Sequence, residues 1–368
     1  MNMNILIDIG HPAHVHLLKN VYHVLISKGH KLIVTVKDIA AAKLLMDAEN
    51  IEYIEIGSKS DLILAKIFSQ VLYNIKMYKI VKENKIVIGI GSSITLAHIS
   101  VISKMKSIIL DDDDDDVQPL FVKYAHPFAD AILSPNAVQY RRKSLKAVFY
   151  PGYHELAYLH PKRFTPIPSV LDDAGLSKGE RFFILRFNVF KAHHDSGISG
   201  LTLPQKLKLI SCLKSYGKIF ITTERDIEPE LMDYQLKVPI EKIHSLIYYA
   251  CMLIGDSQTM TSESAVLGTP SIRLNSFVGR IAYLEEEEHK YGLTYGFSIN
   301  QYDLMLEKVL QLLERKDLQE DWQRRQKIML HENIDVTALL EWVIENYPTS
   351  YHILQKNYNY SQRFILND

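Results

Sequence analysis

The stretch that decides the fold is Asn4-Ile5-Leu6-Ile7-Asp8-Ile9-Gly10-His11-Pro12-Ala13-His14-Val15-His16. Residues 5–9 are a short apolar run stopped by Gly10, the pattern of a strand covered on both faces. Beyond His16, apolar residues fall at Leu17, Leu18, Val21, Val24, Leu25 and Ile26, which is helical spacing. Gly29-His30 ends that helix and residues 31–36 supply the next strand, so the first forty residues make one βαβ unit.

The pattern continues outward. Residues 40–49, 63–81 and 95–103 read as helices, and 51–56, 86–90, 107–110 and 131–133 as strands. A second series has strands at 182–186, 218–222, 252–254 and 271–274, with helices at 204–216, 243–250 and 262–267. Such alternation predicts mainly parallel sheets with helices on both sides. Between the two series, Pro151, Gly152, Pro161, Pro166, Pro168 and Gly175 concentrate turn formers. The expected layout is an N-terminal domain over 1–150, a linker over 151–175, a C-terminal domain over 176–345 and a tail over 346–368. Helices at 303–329 and 336–346 close it. The expected fold is α/β, two Rossmann-like doubly wound domains facing across a cleft.

The 368 residues carry 42 basic and 43 acidic side chains and a net charge of -1, so no global field draws the chain to nucleic acid. An anionic ligand must be met by local groups. Cys212 and Cys251 sit in apolar surroundings and read as reduced. The N-terminus has no signal-peptide pattern and no apolar run is long enough to span a bilayer, so the expected location is cytoplasmic. Residues 63–80 intersperse Lys66, Lys76 and Lys79 among apolar positions, which suits a core helix or peripheral contact with the inner face of a membrane.

Three segments carry chemistry. The loop after the first strand lies where ligands bind in open α/β sheets. Gly10 permits a tight turn there, His11 and backbone N–H groups can face an anion, and His14 is placed to act as a general base. The second segment is Gly255-Asp256-Ser257-Gln258-Thr259-Met260-Thr261-Ser262-Glu263, which follows an apolar strand and opens a helix. Its hydroxyls and N–H groups form a phosphate cradle at Ser257, Gln258, Thr259 and Met260, and Glu263 can accept ribose hydroxyls. The third is the run Asp111 to Asp116, in which Asp111 and Asp112 end a strand and the other four read as solvated. Arg186, with Lys191, His193 and His194 after it, and Thr223 with Glu224 and Arg225 are cation-bearing or polar positions suited to a diphosphate. Arg273 and Arg280 are weaker candidates for the same role, and Glu285 to Glu288 reads as a solvated helix face.

Ser257, Glu263 and Leu267-Gly268-Thr269-Pro270 resemble the diphosphate- and ribose-binding turn of the GT-B superfamily, in particular the non-hydrolysing UDP-N-acetylglucosamine 2-epimerases, with Gln258 and Thr259 in place of two glycines. His14, fifteen residues before Gly29, matches the loop histidine of MurG-type and plant- or macrolide-type glycosyltransferases, where it activates the acceptor hydroxyl. Over residues 3–345 the chain is similar to an uncharacterised bacterial and archaeal family of GT-B-like proteins.

The resemblance implies a glycosyltransferase that moves a sugar from a nucleotide-activated donor to a glycan or lipid-linked hydroxyl acceptor, inverting, in cell-surface glycan synthesis. It implies no protein-bound metal and no other cofactor. Catalysis falls to His14 or, failing that, Asp111. Other readings stay open: a nucleotide-sugar 2-epimerase of the same fold, a hydrolase holding a metal through His11, His14 and His16, and a non-catalytic nucleotide-sugar binder.

Overall fold

The computed structural model describes residues 2–58, 63–177, 179–187, 200–223 and 226–365, with residues 58 and 63–68 as backbone. Two compact units result, Met1–Arg163 with Glu332–Asp368, and Phe164–His331.

In the first unit the chain runs β1 (Asn4–Ile9), α1 (Pro12–Ser27), β2 (Lys31–Asp38), α2 (Ala40–Ala48), β3 (Ile54–Ser58), α3 (Ile63–Glu83), β4 (Ile88–Gly91), α4 (Ile94–Ile102), β5 (Lys106–Leu110), α5 (Pro119–Tyr124), β6 (Ala131–Pro135), β7 (Ala147–Tyr150) and α6 (Leu156–Leu159). The strands form one parallel sheet in the order β3-β2-β1-β4-β5-β6-β7. Ile5, Leu6 and Ile7 are buried on alternating faces, because helices cover both sides of β1. The layer of α3, α4 and α5 packs around Leu96, Met105, Ile109 and Ile132. Helix α1 opens with Pro12 and is capped by His11, whose Nδ1 accepts the Ala13 N–H at 3.2 Å.

The second unit continues with α7 (Val170–Asp173), β8 (Phe182–Arg186), α8 (Leu203–Leu213), β9 (Lys218–Thr222), α9 (Ile243–Tyr249), β10 (Met252–Gly255), α10 (Gln258–Leu267), β11 (Ser271–Leu274), α11 (Ala282–His289), β12 (Thr294–Phe297), α12 (Tyr302–Leu313) and α13 (Leu318–Glu332). Its parallel sheet has the order β12-β11-β10-β8-β9. Trp322 of α13 is fully buried and donates its indole N–H to the Leu293 carbonyl at 2.8 Å, which fixes α13 beside β12. The single helix expected over 303–329 is two, α12 and α13, broken at 314–317. The short strands β7 and β12 were not anticipated.

The domain limits differ from the expected ones at both ends. Residues 151–163 are no linker: Leu156, Ala157, Tyr158, Leu159 and His160 are all buried in the first unit. The chain then returns to that unit through α14 (Val336–Glu345) and α15 (Thr349–Lys356). Helix α14 packs on α1 and α6, Glu345 accepts from Lys28, Thr337 Oγ1 donates to the Ala157 carbonyl, and Tyr351 Oη donates to the Lys146 carbonyl. The apolar faces of α14 and α15 thus find cover where a sequence-order reading places none.

Asp335 anchors this return. It caps α14 by accepting the Ala338 N–H at 3.1 Å and is gripped by Arg163 through Nε at 2.9 Å and Nη2 at 2.7 Å. Asp335→Ala removes the cap and leaves Arg163 without its carboxylate, so unfolding free energy should fall by about 3–5 kcal/mol. The midpoint of urea denaturation, against Asp335→Asn, checks this.

Candidate functional site

Each parallel sheet reverses its winding once, between β1 and β4 and between β8 and β10. Ligands of such sheets bind outside the carboxyl ends of the strands at that reversal. Both edges carry chemistry-bearing residues.

In the first unit, Asp8 of β1 pairs in register with Gly91 of β4. Gly91 has φ +151, and a Cβ there would lie 2.5 Å from the Asp8 carbonyl oxygen, so only glycine lets the strands end this close. Asp8 is buried; burial pushes its carboxyl up, opposed by hydrogen bonds from Ser93 and Thr35. His14, in the first turn of α1, accepts the N–H of Gly10 in the preceding loop on its Nδ1 at 3.2 Å. A neutral His14 in this arrangement carries its proton on Nε2 and acts as a donor. His16 is buried and stacks on Tyr158 at 5.3 Å, and His11 is taken up in capping α1. The three histidines therefore serve separate ends, and among the described residues no group of three or more His, Cys, Asp or Glu is arranged to hold a metal.

The aspartate run is organised by one cation. Arg142 is buried and its Nη1 donates at 2.7 Å to both Asp111 Oδ2 and Asp115 Oδ1, while Nη2 donates to the carbonyls of Asp111 (3.0 Å) and Asp113 (2.9 Å). His126 Nε2 lies 2.8 Å from Asp111 Oδ2. Asp111, expected as a reserve base, is thus spent inside this cluster. Asp114 and Asp115, expected to be solvated, are buried, with Arg141 beside Asp114 and the Lys143 N–H on Asp115. Asp113 is pushed up to about 8 by burial and by the charges of Asp112, Asp111 and Asp114, with Arg142 opposing. It is a neutral carboxyl at pH 7.

Asp112 faces the other way. Its Oδ2 lies 3.1 Å from His154 Nδ1. Burial raises its carboxyl, but the positive charge of His154 when protonated, its hydrogen bond, and the charge of His14 when protonated outweigh that and hold it below the usual range. Two nearby polar atoms are buried without a partner, His154 Nε2 and Tyr150 Oη. Tyr150 ends β7, and burial with the charges of Asp112 and Glu155 keeps its phenol protonated. A carboxylate on Nδ1 orients an imidazole so that Nε2 holds the accepting lone pair. The sequence reading missed His154 and Tyr150 because the turn formers of 151–168 read as a linker. The short run 147–150 before them was the signal.

In the second unit Gly255 pairs with Arg186, and a Cβ at Gly255 would lie 2.0 Å from the Arg186 carbonyl oxygen. The loop after it is pinned on both sides: the Asp256 N–H donates to the Arg186 carbonyl (3.1 Å), and Asn275 Nδ2 donates to the Asp256 carbonyl (3.0 Å). Ser257 caps α10, its Oγ accepting the Met260 N–H at 3.3 Å. Met260 is buried and its N–H is taken by Ser257, which leaves the N–H groups of Gln258 and Thr259 at the head of the helix. Arg186 Nη1 donates to Thr222 Oγ1 (3.0 Å) at the end of β9, with Thr223 next in the chain. Glu263 is buried with Oε1 2.9 Å from Nε2 of His244 on α9, a partner with no signal in the sequence.

Behind α10 the tetrad expected as a solvated face is partly internal. Glu287 is fully buried, accepts from Ser262 and is pushed up to about 8 by burial. Arg273 is buried against Glu285 at 2.7 Å, and Arg280 lies over the Phe277 ring. Lys191, His193, His194, Glu224 and Arg225 lie outside the described residues.

Residues 3–276 match the family described as protein of unknown function (DUF354). The chain belongs to this family. No curated protein matches this DUF354 chain in sequence. Solved structures do match in fold. A Staphylococcus aureus MnaA–UDP structure has TM-score 0.66 at 12% identity, covering 96% of this chain and 98% of that one. A Neisseria meningitidis UDP-GlcNAc 2-epimerase bound to UDP-GlcNAc has TM-score 0.63 at 13% identity, covering 94% and 100%. A Streptomyces glycosyltransferase has TM-score 0.60 at 10% identity, again covering 94% and 100%. The DUF354 chain has the two-sheet α/β architecture of GT-B glycosyltransferases and epimerases.

The neutral Asp113 makes stability pH-dependent. Its carboxyl ionises near 3.8 when unfolded and near 8 when folded, so stability falls as pH rises between those values. Asp113→Asn removes that slope. Its melting temperature should exceed wild type by several degrees at pH 8, the gap closing toward pH 4, as calorimetry across that range would measure.

Proposed function

We propose that the DUF354 chain is a nucleotide-sugar-dependent glycosyltransferase acting on a hydroxyl acceptor. The observation that carries this reading is the Asp112–His154 pair at the carboxyl edge of the first sheet, 3.1 Å apart, with His154 Nε2 left without a partner. Displacement at an anomeric carbon needs one base, and a carboxylate-oriented imidazole is suited to that task near neutral pH. His154 takes the acceptor proton at Nε2, the acceptor oxygen bonds to the anomeric carbon, and the glycosidic electrons leave with the nucleoside diphosphate. A single displacement, with the acceptor oxygen entering opposite the departing diphosphate, gives inversion. His14 would donate to the acceptor oxygen through Nε2, and Tyr150, kept protonated at all physiological pH, is a second donor for it.

The donor belongs to the second unit. The head of α10 offers N–H groups at Gln258 and Thr259 and the positive end of the helix dipole to a diphosphate. Arg186 adds a fixed cation at the neighbouring strand end, where charge on the leaving group is stabilised most in a dry site. Glu263, held by His244, offers a carboxylate to ribose hydroxyls. That fold neighbours have been solved with UDP and with UDP-GlcNAc supports a uridine nucleotide as the first donor to test.

A thermal-shift screen against UDP, GDP, CDP, TDP and CMP, paired with a transfer assay on a hydroxyl-acceptor panel, tests the reading. One nucleoside diphosphate at a hundred times its Kd should stabilise wild type by about 2.7 kcal/mol. His154→Ala should retain that shift and lose about 10²–10⁴-fold in turnover, whereas Glu263→Ala should lose the shift. Consumption of UDP-sugar without acceptor, with the C2 epimer accumulating, would assign an epimerase instead. Absence of any nucleotide shift in wild type would sink both.

A further inference from the structure

The edge of the first sheet opposite the candidate site has a different character. The amino ends of β4 to β7 and the outer faces of α3, α4 and α5 form one surface, tied together by His98. Its Nδ1 lies 3.2 Å from Asn74 of α3, and its Nε2 lies 2.9 Å from the Tyr124 carbonyl of α5. Apolar side chains protrude from this surface at Ile75, Val101, Ile102, Tyr124, Phe128 and Leu145. Val101 and Ile102, one turn beyond His98, are 61% and 62% exposed, and Leu145 is 95% exposed. The loop bearing Leu145 is held beside Phe128, because Lys146 Nζ donates to the carbonyls of Pro127 and Ala129, each at 2.7 Å.

Around these residues stand six exposed lysines, Lys76, Lys79, Lys82, Lys104, Lys106 and Lys123. The acids facing them are Glu83, 3.8 Å from Lys79, and Asp130, 2.8 Å from Lys106. The whole chain has a net charge of -1, so this excess of positive charge is local.

We propose that this face docks on an anionic lipid surface. Protruding apolar side chains ringed by lysines match the interfacial layer of such a bilayer, where apolar groups insert and lysines meet headgroups. A two-fold copy of the chain would set these lysines against their own equivalents, a repulsive arrangement. Apart from Ile75 on the side of α3, the apolar residues stand out from helix ends and loops rather than lining a groove, which suits a fluid layer better than a shaped protein partner. No described helix is long and apolar enough to cross a membrane, so the contact is peripheral. The candidate site lies at the carboxyl edge of the same sheet, so docking leaves that edge uncovered.

Flotation of the full chain with phosphatidylcholine vesicles, with and without phosphatidylglycerol, tests the proposal. Wild type should float with phosphatidylglycerol vesicles at low salt, lose binding as salt rises, and stay unbound on phosphatidylcholine alone. Charge reversal at Lys79, Lys82 and Lys104 to Glu should weaken binding by at least about fivefold per lysine. Val101→Ser with Ile102→Ser should weaken it through lost insertion. All of these side chains are exposed, and unchanged melting temperatures would show that the variants fold. No flotation of wild type at low salt, or equal flotation of the charge-reversed chain, overturns the proposal. So does a concentration-dependent dimer in sedimentation velocity that Val101→Ser/Ile102→Ser abolishes, since the face would then belong to a second copy.

Discussion

The close approach of two strand ends governs what each unit can do. At the reversal point of each sheet a glycine faces a backbone carbonyl, Gly91 against Asp8 and Gly255 against Arg186. Any side chain at either position would drive the strands apart at their carboxyl ends. With glycine, the next residues leave the sheet as tight loops, and those loops aim a helix start at the ligand edge. In the second unit this brings the Asp256 N–H onto the Arg186 carbonyl, and Ser257 then falls at the cap of α10. In the first, Ser93 caps α4 next to Asp8. The two sheets differ in strand number and order, yet the same steric device recurs where their chemistry collects.

Six consecutive aspartates could not be held together by solvation alone with three of them buried. The solution is a division of labour. Arg142 neutralises Asp111 and Asp115 and satisfies two carbonyls, His154 and His14 act on Asp112, Arg141 stands by Asp114, and Asp113 keeps its proton. Of the six, only Asp116 is exposed. Without its guanidinium the cluster would present buried unpaired carboxylates, an expensive arrangement. The run is therefore a scaffold around Arg142, from which one member, Asp112, is turned toward the ligand edge.

Periodicity made the α/β architecture legible. Runs such as residues 5–9 and 252–254 announce buried parallel strands because both faces must be apolar there. The phosphate-cradle segment was legible too, since Ser257 and Glu263 sit at fixed offsets from a strand end. Less could be read where tertiary contacts override local pattern. Turn formers at 151–168 mark a linker in most sequences, but here α6 packs under α1 and α14, so the same residues are core. That misreading hid His154. Arg142 and His244 gave no sign either, because a buried cation or histidine is defined by its partners, and Asp111 and Glu263 are distant in the chain from both.

Hydrogen-bond direction separates the two histidines that act on Asp112. His14 receives a backbone N–H on Nδ1, a donor that cannot be exchanged, so its neutral ring must present N–H at Nε2. His154 has the opposite polarity: Nδ1 faces the carboxylate at 3.1 Å, which leaves the lone pair on Nε2, an atom buried with no hydrogen-bond partner. A hydroxyl needs both an acceptor for its proton and a donor for the oxygen lone pair it keeps, and in the proposed reaction these two rings would supply one each. His14 resembles the loop histidine of known transferases in sequence position, yet position alone does not assign a base. The partner on Nδ1 distinguishes the two rings, and on that criterion the base we propose is His154, four places after β7.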